Sequence, residues 1–155
     1  MRVNIGPYPE SDEPRLEEIE IHNYDVWSLD YTLALVILPA LRLLKAQKQG
    51  VPTVDDSDLP ENLQGPDADI ESRWNWIMDE MIFAFEMALS DDYGTDQFNS
   101  GEIDFHTVER EDGLFELVAG ENHTFEVDTV AEKAHMDRVQ RGHMFFGKYY
   151  MSLWD

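Results

Sequence analysis

The chain has 155 residues with 33 Asp or Glu against 11 Lys or Arg, a formal charge of −22, and no cysteine. That balance excludes sequence-independent binding to nucleic acid and disfavours an anionic membrane, because both need Lys and Arg to neutralise phosphate; the missing thiols exclude disulfides, thiolate metal sites and cysteine nucleophiles. A hydrophobic fraction of 43%, with 12% aromatic residues, supplies a core for one domain over residues 1–155, a length that buries roughly two-thirds of the unfolded surface.

The first residues, MRVNIGPYPESDEP, lack the apolar stretch of a signal peptide. The longest apolar run, LALVILPAL at residues 33–41, is shorter than the ~20 residues that cross a bilayer. The expectation is a soluble, cytoplasmic protein without a membrane partner. A short strand is predicted over Arg2–Ile5, then a loop, then a strand from about Glu18 to Tyr24. Ser28 is a good N-cap and Asp30 suits the first turn of a helix. Every residue from Leu33 to Leu38 is apolar, which predicts a central helix covered on several sides, kinked at Pro39 and ending before Gly50.

Residues 51–71 carry seven acids, Asp55, Asp56, Asp58, Glu61, Asp67, Asp69 and Glu71, with three prolines and no basic residue. They read as a solvated acidic loop. A second helix follows to about Ser90. From Ile103 the pattern turns to strands, IDFHTVERE, LFELVAG and TFEVD, with a DG turn at Asp112 and Gly113. This predicts a three-stranded antiparallel meander over residues 103–128. Thr129 and Glu132 form a T-x-x-E capping box for a last helix, within which Gly142 and Gly147 suggest a close packing contact. The fold class is α+β: three main helices packed on a small antiparallel sheet, with the N-terminal strand or strands in addition.

The second helix contains RWNWIMDEMIFAFE, an apolar segment with acids in it. At 100° per residue, Asn75, Asp79 and Glu86 fall within a sector of about 40°, a solvent stripe. Glu80 lies on the opposite side, among Trp76, Ile77, Phe83 and Ala84. A lone ionised carboxylate there costs several kcal/mol, so it must be protonated, metal-bound or paired. Arg138, with His135 on the same face of the last helix, and Arg73 are its candidate partners. Such a pair either fixes the packing of two helices or belongs to a polar pocket built from Trp74, Glu80, His135 and Arg138.

Sites that bind metal or nucleotide leave weaker traces. Glu132 and His135 make one E-x-x-H, where a di-iron bundle needs two; His22, Asp25 and Asp30 are the other candidate ligands, and no metal or cofactor is assigned. DDYGTDQFNSGE places Tyr93 and Asp96 where an EF-hand needs a ligand and a glycine. Neither G-x-G-x-x-G nor G-x-x-x-x-G-K-[ST] is present, nor a serine elbow. Catalysis would have to be assembled from scattered residues.

Five blocks, IHNYDVWSLDYTLALVILPALRLLK, VDDSDLPENL, RWNWIMDEMIFAFE, LVAGENHTFEVD and RVQRGHMFFGKYYMSLWD, together resemble a family of small, functionally uncharacterised proteins of tailed bacteriophages. The resemblance covers most of residues 19–155. It implies a phage origin and the host cytoplasm as the place of work, and no catalytic residues.

Three functions compete. The first is a non-enzymatic accessory protein of infection that binds the basic surface of a host or phage protein through its acids, one version being an inhibitory DNA mimic. The second is a small-molecule-binding protein or metal-assisted hydrolase with a pocket around Glu80, His135 and Arg138. The third is a virion assembly component, for which an oligomer is expected. The same charge also serves solubility.

Overall fold

The computed structural model describes residues 1–10 and 12–154. Its core is made by three helices, α1 (Leu29–Gln47), α2 (Ile70–Ala88) and α3 (Thr129–Lys148), with α2 packed against both of the others. In α2 the buried residues Trp74, Ile77, Met78, Met81, Ala84, Phe85 and Ala88 recur at helical spacing on more than one side. α1 presses Ala34, Leu38 and Leu41 into the core, and α3 contributes Val139, Gly142 and Phe145. Each α2 or α3 start is capped by an aspartate: Asp69 accepts from the Ser72 amide at 2.8 Å and Asp128 from the Ala131 amide at 3.0 Å. Thr129 is therefore already inside α3, and the expected Thr129–Glu132 box is not its cap.

α1 departs from expectation in a second way. It runs through Pro39, but it is not covered on several sides: Leu33, Leu35, Val36 and Leu43 are exposed. Only one face meets α2. The expected second strand is shorter too, ending at Glu20, and residues Asn23–Val26 form a 3-10 turn instead.

Residues 51–71 are a folded segment rather than a solvated loop. Val54 and Leu59 are 4% and 5% exposed and join the helical core; a 3-10 turn at Asp56–Asp58 carries the chain between them and a second, Glu61–Leu63, follows.

The strands form three antiparallel pairs: β1 (Arg2–Ile5) with β2 (Glu17–Glu20), β3 (Asn99–Ser100) with β6 (Glu126–Val127), and β4 (Phe105–Glu109) with β5 (Phe115–Ala119). Among the described residues the expected three-stranded meander over residues 103–128 does not form. After β5 the chain makes a turn at residues 120–123, held by the Gly120 amide on the Asp104 carbonyl at 2.8 Å and the Asn122 amide on the Asp104 carboxylate at 3.1 Å. It then stays on the same partner, with the Thr124 amide on the Glu102 carbonyl and the Asp128 amide on the Phe98 carbonyl. The result is one long ribbon, residues 98–128, interrupted by a bulge, in place of a third strand folded back on β5. Every strand residue is exposed, so the helices pack on one another and not on a sheet. The class is α+β as expected. Among the described residues no helix is long and apolar enough to cross a membrane.

Between α2 and β3, Asp92, Tyr93 and Gly94 stand consecutively in the left-handed region, at φ 44°, 54° and 74°. For the two non-glycine residues this is strained backbone, held from both sides. His135 of α3 donates from Nε2 to the Tyr93 carbonyl at 2.8 Å, and the Tyr93 hydroxyl donates to Asp30 of α1.

Candidate functional site

Glu80 points inward, as the helical wheel requires, with its side chain 5% exposed. Its two oxygens are claimed by two arginines of α3. Arg138 Nε donates to Oε1 at 2.9 Å, while Arg141 donates to Oε2 from Nε at 3.0 Å and from Nη2 at 2.6 Å. The guanidinium of Arg138 lies 3.7 Å from the centre of the Phe83 ring and that of Arg141 5.7 Å from the Trp76 ring. Three charge-assisted hydrogen bonds from two guanidinium groups to this buried carboxylate lock α2 to α3.

The four residues expected around one pocket do not converge. Arg138 reaches Glu80, but His135 turns to the Tyr93 carbonyl, its ring edge-on to Phe83 and Phe98. Trp74 is buried against Tyr149, with ring centres 5.7 Å apart. Arg73 does not approach Glu80; it donates to the Val54 carbonyl at 2.6 Å, to the carbonyls of Leu63 and Gly65, and pairs with Asp56 at 2.6 Å. Open cavities include one of about 270 Å³ above Arg73 and Val54, one of about 330 Å³ between α1 and Phe146, and one of about 350 Å³ bordered by Asp58, Trp76 and Arg141. Sequence reasoning missed Arg141. The signal was present, since Arg138 and Arg141 stand three apart and share a face of α3.

The acids of residues 51–71 are largely committed to the fold. Lys148 reaches Asp55 at 2.7 Å and Asp58 at 2.6 Å, and the Tyr149 hydroxyl donates to Asp58 at 2.5 Å. Asp58 is partly desolvated, which favours its neutral form, but the bonds from Lys148 and Tyr149 outweigh this and hold the carboxyl below its ordinary range. Asp56 is taken by Arg73, Asp69 caps α2, and Glu71 is 3.6 Å from Lys48. Glu61 and Asp67 remain exposed. Two of the candidate metal ligands are likewise engaged: Asp25 holds the N-terminal ammonium at 2.5 Å and the His22 amide at 2.7 Å, and Asp30 accepts from Tyr93. Among the described residues no three His, Asp or Glu side chains are grouped to hold a metal ion.

Acids exceed cations throughout the chain, with 25 against ten Lys and Arg outside residues 99–127. From Arg42 to Lys148, outside the ribbon, the eight Lys and Arg side chains all sit in ion pairs with the helical body's own acids. Between residues 99 and 127 the ribbon has eight acids and one arginine, Arg110, which is 3.4 Å from Asp112. Its pairing puts Phe105, Leu117 and Phe115 on one face, exposed at 46%, 65% and 72%. No protein-family model, curated protein or solved structure matches this chain.

Proposed function

We propose that the protein is a non-enzymatic accessory protein of a tailed phage that works in the host cytoplasm by binding the basic surface of a host or phage protein, and that the ribbon of residues 98–128 makes the contact. The observation that carries this reading is the ribbon's own balance, eight acids to one cation on an exposed two-stranded element that also presents apolar side chains. Uncompensated carboxylates on a protruding element steer a basic partner and set the orientation of encounter. The ribbon adds exposed Phe105, Phe115 and Leu117 for contact and two unpaired strand edges for backbone hydrogen bonds. Inhibition by imitation of DNA is the version in which the basic surface is a nucleic-acid-binding face.

The test is affinity capture from infected cells at low salt and at about 0.5 M salt, with the native chain and with a Glu109→Lys, Glu111→Lys, Glu116→Lys triple variant. The expected result is a partner lost in high salt and with the variant. A partner retained under both changes overturns the reading. Displacement of that partner by duplex DNA would separate DNA imitation from other basic targets.

A further inference from the structure

In a chain of charge −22, one helical face carries no charge. α1 has 19 residues, of which only Asp30, Arg42 and Lys45 are charged. At 100° per residue, Leu29, Leu33, Val36, Ala40 and Leu43 fall in one stripe directed away from the buried Ala34, Leu38 and Leu41, and none of the three charged residues lies in it. The stripe is open, with Leu29, Leu33, Val36 and Leu43 exposed at 45%, 43%, 41% and 57%. Tyr24 and Trp27, stacked with ring centres 6.2 Å apart and more than four-fifths exposed, precede the helix. Beside the stripe runs the apolar groove of about 330 Å³, between α1 and Phe146.

These fractions amount to on the order of 600 Å² of apolar surface. That is at the upper end of what a monomer leaves uncovered and near the roughly 800 Å² each partner gives to a standard interface.

We propose that this face is a homodimer interface, in which α1 packs antiparallel on α1 of a second copy about a twofold axis passing near Val36. Spacing and charge both select that occupant. Leu29 and Leu43 stand seven residues on either side of Val36, and Leu33 and Ala40 three and four. An antiparallel pairing in that register sets Leu29 against the partner's Leu43 and Val36 against its own copy, as a self-complementary patch requires. Two molecules of the same strong charge repel on nearly every other surface and approach most cheaply through a charge-free one. A basic partner gains nothing there, because the stripe offers it no carboxylate. The antiparallel arrangement also opposes the two helix dipoles. The acidic ribbon lies on a different element, so this inference does not depend on the proposed basic partner.

The two also respond to salt with opposite sign. Binding of a basic partner weakens as salt rises, whereas a dimer of like-charged chains holds or tightens because its self-repulsion is screened. The experiment is sedimentation equilibrium of the full chain up to about 100 µM, at low and high salt. The expected particle has twice the 18.0 kDa chain mass. Val36→Glu places two carboxylates face to face at the axis and should raise the dissociation constant by about a hundredfold; Leu43→Glu should do the same from a second exposed position, with the circular dichroism of both variants unchanged. Mixing the Val36→Glu and Val36→Lys chains should restore the doubled mass. An 18.0 kDa particle throughout, a doubled mass that survives both glutamates, or a monomer that instead takes up neutral lipid vesicles or a different protein on this face overturns the proposal.

Discussion

Gly142 of α3 rests on the backbone carbonyl of Glu80 in α2: a Cβ at position 142 would meet that oxygen at 2.1 Å and the Ala84 Cβ at 2.6 Å. The contact sits beside the Glu80 ion pairs, so the close approach of the two helices and the reach of Arg138 and Arg141 depend on one another. Gly142→Ala should therefore force α3 away and destabilise the protein by about 3 kcal/mol. Gly147 has nothing within 4 Å of its would-be Cβ, and Gly147→Ala should stabilise by up to about 1 kcal/mol through helix propensity. Urea unfolding of the two variants, compared at their midpoints, tests the contrast; equal shifts would refute it.

The arginines should be redundant to first order. Both are partly exposed, at 43% and 39%, while Glu80 is buried. Arg138→Ala or Arg141→Ala alone leaves one guanidinium on the carboxylate and should cost about 1 kcal/mol. The double variant leaves a buried charge unpaired and should cost more than the two singles together, with about 3 kcal/mol expected. An additive double-mutant cycle would show that Glu80 does not hold its charge through these two partners.

Asp58 ties the segment of residues 51–69 to the end of α3 through Lys148 and Tyr149. Asp58→Asn keeps the shape and removes the charge, and should cost about 1–3 kcal/mol. The local signature is sharper than the global one. Limited proteolysis should open between residues 51 and 69 at protease levels that leave the native chain intact, and an unchanged cleavage pattern would contradict the tie.

Stability should fall on both sides of neutral pH for nameable reasons. Burial pushes the His143 imidazole, edge-on to Phe85, below its ordinary 6.5, although the Asp30 carboxylate pulls the other way. The unfolded chain then binds this proton first, so the contribution is complete above pH 6.5 and is lost as pH falls below it. Asp58 is held below its ordinary 3.8 by net hydrogen bonding, and its contribution disappears as pH falls below that value. Burial and the bond to Asp58 raise the Tyr149 phenol to about 12, which protects the fold below pH 10 and fails between 10 and about 12. Thermal unfolding across pH should show the acid loss beginning near 6.5, and His143→Gln should remove that first step while leaving the later one.

The helical core was legible because its signal is local. The inward placement of Glu80 follows from its angle on one helix, and the need for a cation follows from the cost of a buried charge. What failed was long-range. The acids at residues 55–58 look solvated until Lys148 and Arg73 arrive from distant positions, and Val54 and Leu59, two apolar residues among acids, were the only local hint. TFEVD reads as a third strand, but nothing in those residues says which edge it takes; the turn at residues 120–123 decides it by fastening to Asp104. The unbroken apolar run in α1 reads as burial on several sides, whereas half of that run faces outward. Hydrophobicity alone does not distinguish contact within a chain from contact between chains.

The clasp of Lys148 on Asp55 and Asp58 also orders events in time. A polypeptide emerging from the ribosome N-terminus first has α1, the acidic segment and α2 in hand long before residues 148 and 149 exist, so the segment has no anchor and the Arg-less Glu80 no neutralising partner during most of synthesis. Maturation of this protein therefore waits on its last helix, and a nascent chain stalled before it should remain open to protease and dependent on chaperones.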